Sequence, residues 1–285
     1  MHLYAFGVIV ASAVMVGLGL VRRRVRRFRL DPAIGEGFAW YALVGGFLGA
    51  HIFSVLLYFP EKVAQHPLVL LKLWEDISSF GGMLGALVGI GIYFWYKAPG
   101  LDPHLHRAYV DVAAYAFAFS LAIGRAACSL AHDHPGTLTR FPLAVSLQSA
   151  SARAYIAQVY SDAGRLATLP PLGTLASLGF HDLGWYEFLY LSVIVAPSML
   201  LLDRWFARRH GYGTPSTGLF LAAFVLLYMP ARFALDFLRI VDVRYAGLTP
   251  GQWTAGAALI GFAMTAMMRR TRSQRYRSPS VPSHP

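Results

Sequence analysis

AYVDVAAYAFAFSLAIGRAACSLA, residues 108–131, decides the reading of the fold. At 1.5 Å per residue a helix of this length crosses the ~30 Å hydrocarbon core of a bilayer. Arg125 nevertheless lies well inside it. A charge at that depth costs ~2.5–3.5 kcal/mol on insertion scales, so something must offset it. The run ends in HDHPG, His132 to Gly136, which returns the chain to a polar surface.

Six more runs of similar character lie around it, at about 3–21, 35–58, 79–96, 184–202, 216–238 and 250–268. The composition agrees: 56% of the 285 residues are hydrophobic and 14% charged, against about 25% charged in soluble domains. The expected fold is therefore all-α, a polytopic membrane protein of seven transmembrane helices. Residues 1–271 are read as one domain with an outer-face loop at about 132–183. Residues 272–285, basic and then rich in Ser and Pro, are read as a disordered tail. The first run is an anchor rather than a cleavable signal peptide, because its arginines follow it.

Lys and Arg set the orientation, since short positively charged loops stay cytoplasmic. Sixteen of the 25 fall in Arg22 to Arg29, Lys97 and Arg107, Arg204 to Arg209, and Arg269 to Arg277. Seven fall on the opposite side, and Arg125 and Arg232 lie inside runs. The bias predicts the N-terminus outside and the C-terminus cytoplasmic. The net charge of +11 sits beside the runs and near no aromatic stacking platform, which favours anionic lipid over nucleic acid. A single cysteine excludes an internal disulfide.

Within the outer loop, SARAYIAQVY (151–160) has apolar residues at helical spacing and suits a membrane surface, and LPPLG (169–173) breaks any helix. Glycines crowd the second and third runs, from Gly45 to Gly49 and from Gly81 to Gly91. They either let helices pack closely or, at Gly81 and Gly82, leave backbone open to a ligand.

The segment YMPARFALDFLR (228–239) sets Tyr228, Arg232, Asp236 and Arg239 on one helix face. Arg232 pairs internally with Asp236 one turn on, or joins Arg125 in holding a phosphate, as guanidiniums do bidentately. HDLGWYE (181–187) brings His181, Tyr186 and Glu187 to the outer interface, and Glu187 needs a cationic partner, with Arg125 and Arg232 as candidates. His132, Asp133 and His134 form a solvated turn or an acid–base loop that contacts a headgroup. Two histidines at i,i+2 without further spaced ligands make a poor metal site, so no metal and no cofactor is expected.

These stretches, in this order, resemble the prolipoprotein diacylglyceryl transferases over most of 3–268. SSFGG (78–82) is similar to that family's Ser-Phe-His-Gly-Gly, and GRAACSLAHDHPG (124–136) to its Gly-Arg-x-Gly-Asn-Phe-x-Asn-Gly-Glu-x-x-Gly. HDLGWYE resembles His-Pro-x-Gln-x-Tyr-Glu, YMPARFALDFLR resembles Tyr-Gly-x-x-Arg-Phe-x-x-Glu-Phe-x-Arg, and LTPGQ (248–252) resembles a Met-Gly-Gln near the last run. The resemblance implies a bacterial inner-membrane enzyme that moves a diacylglyceryl group from phosphatidylglycerol, or a related anionic phospholipid, to the lipobox cysteine of a prolipoprotein signal peptide. It implies that Arg125 is the counterpart of the family's essential signature arginine, Tyr228 and Arg232 of its sixth-span tyrosine and arginine, and Gly136 of its signature's late glycine.

The departures are specific. Phe80 stands where the family has a histidine, Cys128 and Ala131 where it has asparagines, His51 and Thr137 where it has arginines, and Phe6 where it has a tyrosine. With the expected base replaced, the acid–base role falls to His132, Asp133, His134 or His181. Besides the family reaction, a lipid transferase with another donor or acceptor, and a non-catalytic lipid-binding protein, are the alternatives.

Overall fold

The computed structural model describes residues 2–73 and 77–275. In chain order the helices are α1 (His2–Arg27), α2 (Pro32–Leu57), α3 (Pro60–Gln65), α4 (Ser79–Tyr96) and α5 (Pro103–Ala131), followed by strands β1 (Pro135–Thr139) and β2 (Val145–Ser146). Then come α6 (Ala150–Asp162), α7 (Leu172–Leu175), β3 (Gly179–Asp182), α8 (Leu183–Tyr190), α9 (Ala196–His210), α10 (Leu219–Leu235) and α11 (Pro250–Arg275). A π-helical turn at Leu191–Val195 joins α8 to α9.

All seven apolar runs fall in helices. Among the described residues five helices are long and apolar enough to cross a membrane: Ala5–Arg27, Pro32–Leu57, Pro103–Ala131, Leu183–His210 and Leu219–Leu238. Phe80–Tyr96 is a shorter apolar helix. The chain is thus a mostly helical, multi-pass membrane protein. α11 continues to Arg275, and the rest of the expected tail, 276–285, lies outside the described residues.

Local chemistry sets the helix starts. Asp31 and Asp102 each precede a proline, and each carboxylate accepts a backbone N–H of the first turn, Ala33 N at 2.8 Å and His104 N at 2.6 Å. α2 and α4 then meet through their glycines. A Cβ on Gly45 would lie 2.5 Å from the Gly85 carbonyl oxygen, and one on Gly49 2.6 Å from that of Gly81. Close backbone approach is what small residues supply in lipid, and here it applies at Gly81 as well.

α1 runs against α5 in the opposite direction, with Gly17 at Ser120 and Arg24 stacked 3.8 Å above the Tyr115 ring. Arg24 and Arg27 both reach Asp203 of α9, at 2.9 and 2.6 Å. Tyr115 and Arg125 are ~15 Å apart along α5, so this basic end is well separated from Arg125.

The segment expected as an outer loop is instead a small folded layer, and this corrects the all-α expectation. β3 is central in an antiparallel sheet of order β1-β3-β2, with Leu138 and Val145 both opposite Phe180. α6 forms as its spacing predicts, but its apolar face does not line a membrane surface. Ile156, Val159 and Tyr160 are buried with Leu147, Leu175 and Phe180. The LPPLG break is real: a short turn ends at Thr168 and α7 begins after Pro171.

Candidate active site

The site starts from a close helix contact. A Cβ on Gly184 of α8 would lie 3.1 Å from Cys128 of α5. One turn further in, the same approach brings Glu187 to Arg125, whose Nε lies 2.9 Å from Glu187 Oε2. α10 supplies the rest. Tyr228 donates to Glu187 Oε2 at 2.6 Å, and Arg232 Nη1 pairs with Glu187 Oε1. One carboxylate thus holds two guanidiniums and a phenol, all 3% exposed or less. The Arg125 Nε contact is a charge contact rather than an aligned hydrogen bond, and among the described residues Arg232 Nε also has no aligned acceptor.

Of the sequence readings of Arg232, the internal pair is realised: its Nη2 lies 2.8 Å from Asp236 Oδ1, while Nη1 faces Glu187. Asp236 is held in turn by Thr249, whose hydroxyl donates to Oδ2 at 2.6 Å. Thr249 and Gln252 form a capping box at the start of α11: Gln252 N donates to Thr249 Oγ1 at 3.1 Å, and Thr249 N to Gln252 Oε1 at 3.0 Å. LTPGQ therefore serves the site through Asp236. Arg239 joins at the edge, with Nε 3.9 Å from Asp236 and Nη1 2.6 Å from Asp242.

The HDH turn divides. His134 Nε2 lies 3.2 Å from Arg125 Nη1, and its Nδ1 meets Asp133. A guanidinium only donates, so Nε2 accepts and the imidazole proton sits on Nδ1, facing the carboxylate. Burial and then Arg239 push His134 down to about 4. Burial works to raise Asp133, but His134 and the neighbouring arginines hold it below the usual carboxylate value. His132 turns the other way, with Nδ1 2.6 Å from Asp182 Oδ2, and that bond raises its pKa.

Gly136 is bridged by backbone to Arg239, and a Cβ there would lie 2.8 Å from Leu183 and 2.9 Å from the Leu238 carbonyl. His181 and Tyr186 form a separate pair at 2.8 Å, flanked by Phe141, and burial lowers His181. Gly81 and Gly82 lie in the first turn of α4, packed on α2. Arg125, Glu187, Tyr228, Arg232 and His134 therefore converge directly. Arg239 and Gly136 adjoin them, while His132, His181 and Tyr186 stand nearer the sheet.

The model of the prolipoprotein diacylglyceryl transferase family matches residues 1–268. The chain belongs to this family. A phosphatidylglycerol–prolipoprotein diacylglyceryl transferase of Frankia alni is 28% identical over 273 residues, covering 94% of this chain but 63% of that longer protein. The enzyme of the same name from Chromohalobacter salexigens is 30% identical over 263 residues, 88% of this chain and 82% of its own. That of Xanthomonas oryzae pv. oryzae is 28% identical over 275 residues, 93% and 87%.

Against the diacylglyceryl transferase pattern, the departures acquire physical roles. Phe80, where a histidine was expected, is 3% exposed and lies under Arg232, whose Cζ is 4.8 Å from the ring centroid. It is a π floor for the cation rather than a base. His51, buried in α2, lies with Nε2 2.9 Å from the Val69 carbonyl oxygen. Cys128 Sγ is 3.9 Å from Arg125 Nη1. Donor atoms of Cys128, Asp133 and His134 lie within 4.8 Å of one another, but Arg125 already touches two of the three residues, and a fixed cation there opposes a metal ion.

The sequence reading missed Asp182 as a partner of His132. The signal was present: an aspartate three residues before Trp185, whose N–H it caps at 3.2 Å.

Proposed function

We propose that this protein transfers the diacylglyceryl group of phosphatidylglycerol, or a closely related anionic phospholipid, to the thiol of a lipobox cysteine in a prolipoprotein signal peptide. The observation that carries the reading is the convergence of Arg125 and Arg232 on Glu187, in a chain of this family. Two fixed guanidiniums suit the phosphate of a glycerophospholipid, and their worth rises in a water-poor site.

Chemically, a sulfur–carbon bond forms at the glyceryl carbon while the bond from that carbon to the phosphate oxygen breaks. The electron pair leaves with glycerol phosphate. Charge grows on the departing oxygens, where Arg125 and Arg232 act. Glu187 and Tyr228 position the two guanidiniums. Both arginines are 1% exposed, so a headgroup reaches them only when a wall of the site moves. The HDH turn, through His134 on Arg125, belongs to that wall. His181, Tyr186, Gly136 and Arg239 line the approach from the sheet, and Phe80 with Gly81 and Gly82 forms the floor. Acid–base work falls to the turn at His132, Asp133 and His134.

The chain acts as one membrane unit, residues 1–271, in a bacterial inner membrane. Seven spans with the N-terminus outside carry the sheet and α6 on the outer face, where a secreted lipoprotein precursor meets the enzyme. The separation of Arg24 and Arg27 from the Arg125 cluster along α5 supports this orientation, because the arginine-rich end is the one retained in the cytoplasm.

Rescue of a cell depleted of its own diacylglyceryl transferase tests the reading. The wild-type chain restores lipoprotein modification, whereas Arg125→Lys and Arg232→Lys, which keep charge and lose the fork, restore it weakly. Lack of rescue by a wild-type chain that reaches the membrane contradicts it.

A further inference from the structure

The surroundings of His132 carry an inference that rests on the proposed transferase reaction. His132 closes α5 in the left-handed backbone region, at φ 51°. Its carbonyl accepts from the Tyr155 hydroxyl, and its ring meets Phe180 edge-on with centroids 6.1 Å apart. The imidazole is thus held from several sides. Asp182, 2.6 Å from Nδ1, is fully buried, whereas the His132 side chain is 44% exposed. Asp182 is fixed because its other oxygen caps α8, the helix that carries Glu187.

A carboxylate only accepts, so the proton of a neutral His132 sits on Nδ1 and the lone pair on Nε2. Among the described residues Nε2 has no hydrogen-bond partner, and an imidazole oriented by a buried carboxylate with its second nitrogen open to a reacting group is the arrangement a general base needs. The rest of the turn does not offer it. His134 directs Nε2 at Arg125, and Asp133 is engaged by His134.

Position agrees with role. His132 stands two turns beyond Arg125 on α5, ~10 Å along the axis, and Asp182 stands ~7 Å beyond Glu187 on the chain leading into α8. An attacking sulfur lies ~3–3.5 Å from the carbon it attacks. That carbon is joined through one ester oxygen to a phosphate held ~2.9 Å from the guanidiniums. A base ~10 Å from Arg125 along α5 matches the length of that line.

We propose that His132, oriented by Asp182, is the general base that removes the proton of the acceptor thiol. The S–H proton passes to Nε2, sulfur bonds to the glyceryl carbon, and the carbon–oxygen bond opens with its electron pair on glycerol phosphate. The proton on His132 then returns to water. Asp182 is a positioning residue. The acidic groups that face the imidazole are Asp182 and Asp133, and both favour its protonated form.

The test uses the full chain in phosphatidylglycerol vesicles with a lipobox peptide, following the thioether product. His132→Ala lowers kcat by ~10²-fold or more with KM little changed, and imidazole in the buffer restores part of the loss. Asp182→Asn keeps an acceptor for the α8 cap but removes the charge, so kcat falls and the acid limb of the pH profile moves to lower pH. His132→Ala within a few-fold of wild type overturns the inference alone. So does a loss that imidazole leaves unrepaired together with an unmoved acid limb in Asp182→Asn. A wild-type protein without turnover overturns the proposed function and this inference with it.

Discussion

Arg125 Nε and Glu187 Oε2 lie 2.9 Å apart with both side chains 2% exposed or less, and the second oxygen of the same carboxylate faces Arg232. This pairing answers the cost of two arginines at membrane depth. Removing the carboxylate charge leaves two buried cations with reduced compensation, and breaking a buried pair costs about 3–5 kcal/mol. Glu187→Gln should lower the unfolding free energy in detergent by about that much. Tyr228→Phe, which removes one hydrogen bond to a charged group, should cost about 1.5–3 kcal/mol.

Phe80 under Arg232 predicts a separable effect. A desolvated cation–π contact is worth about 2 kcal/mol. Phe80→Leu keeps an apolar side chain but loses the ring, so denaturant unfolding should register a loss of about that size. Phe80→Tyr, which keeps the ring, should cost less if the added hydroxyl finds room, and equal losses in both variants would argue against the π contact.

The glycine seam between α2 and α4 leaves no space for larger side chains. At Gly49 even a Cβ would lie 2.6 Å from the Gly81 carbonyl oxygen, so Gly49→Val forces the helices apart. Overpacking of this kind costs about 1–3 kcal/mol or more. Lower yield of monodisperse protein by size-exclusion chromatography is the expected outcome. Gly91, with open space at its Cβ position, should accept alanine without such a loss.

His134 predicts an acid-side weakness. Its pKa falls from 6.5 to about 4 in the folded protein. The unfolded chain therefore binds a proton that the folded chain refuses, and stability falls as pH drops from about 6.5 to about 4. At 1.36 kcal/mol per unit the effect is at most about 3 kcal/mol. His132 has the opposite sign, since its raised value adds stability at low pH that is lost as pH rises. Asp133 acts below this window, because its lowered value releases stability only as pH falls past the ordinary carboxylate range. Unfolding measured between pH 4 and 7 should be less pH-dependent in His134→Gln than in wild type.

Much of the helical architecture was legible because its signals are strong and local. Apolar length marked the helices, and the i, i+4 spacing of Tyr228, Arg232 and Asp236 marked a shared face. The convergence of Arg125, Glu187 and Arg232 was legible only as a need for partners. What assembles it is the close approach of Gly184 to Cys128, a tertiary contact that no spacing records. The sheet was missed because its strands are two to five residues long and lack clear alternation. α6 was found but assigned to a membrane surface, since its apolar spacing is blind to whether lipid or Phe180 covers it.

In the proposed function the two arginines serve transfer of a diacylglyceryl group to a thiol. The most direct measurement is release of glycerol phosphate from phosphatidylglycerol by the purified protein when a lipobox peptide is supplied. Release should depend on the peptide cysteine and match the appearance of thioether product. It should fall by at least ~10²-fold in Arg125→Ala, the scale of removing one preorganised charge-stabilising group. Release that persists unchanged in Arg125→Ala, or no release from a folded wild-type protein, would contradict the proposed function.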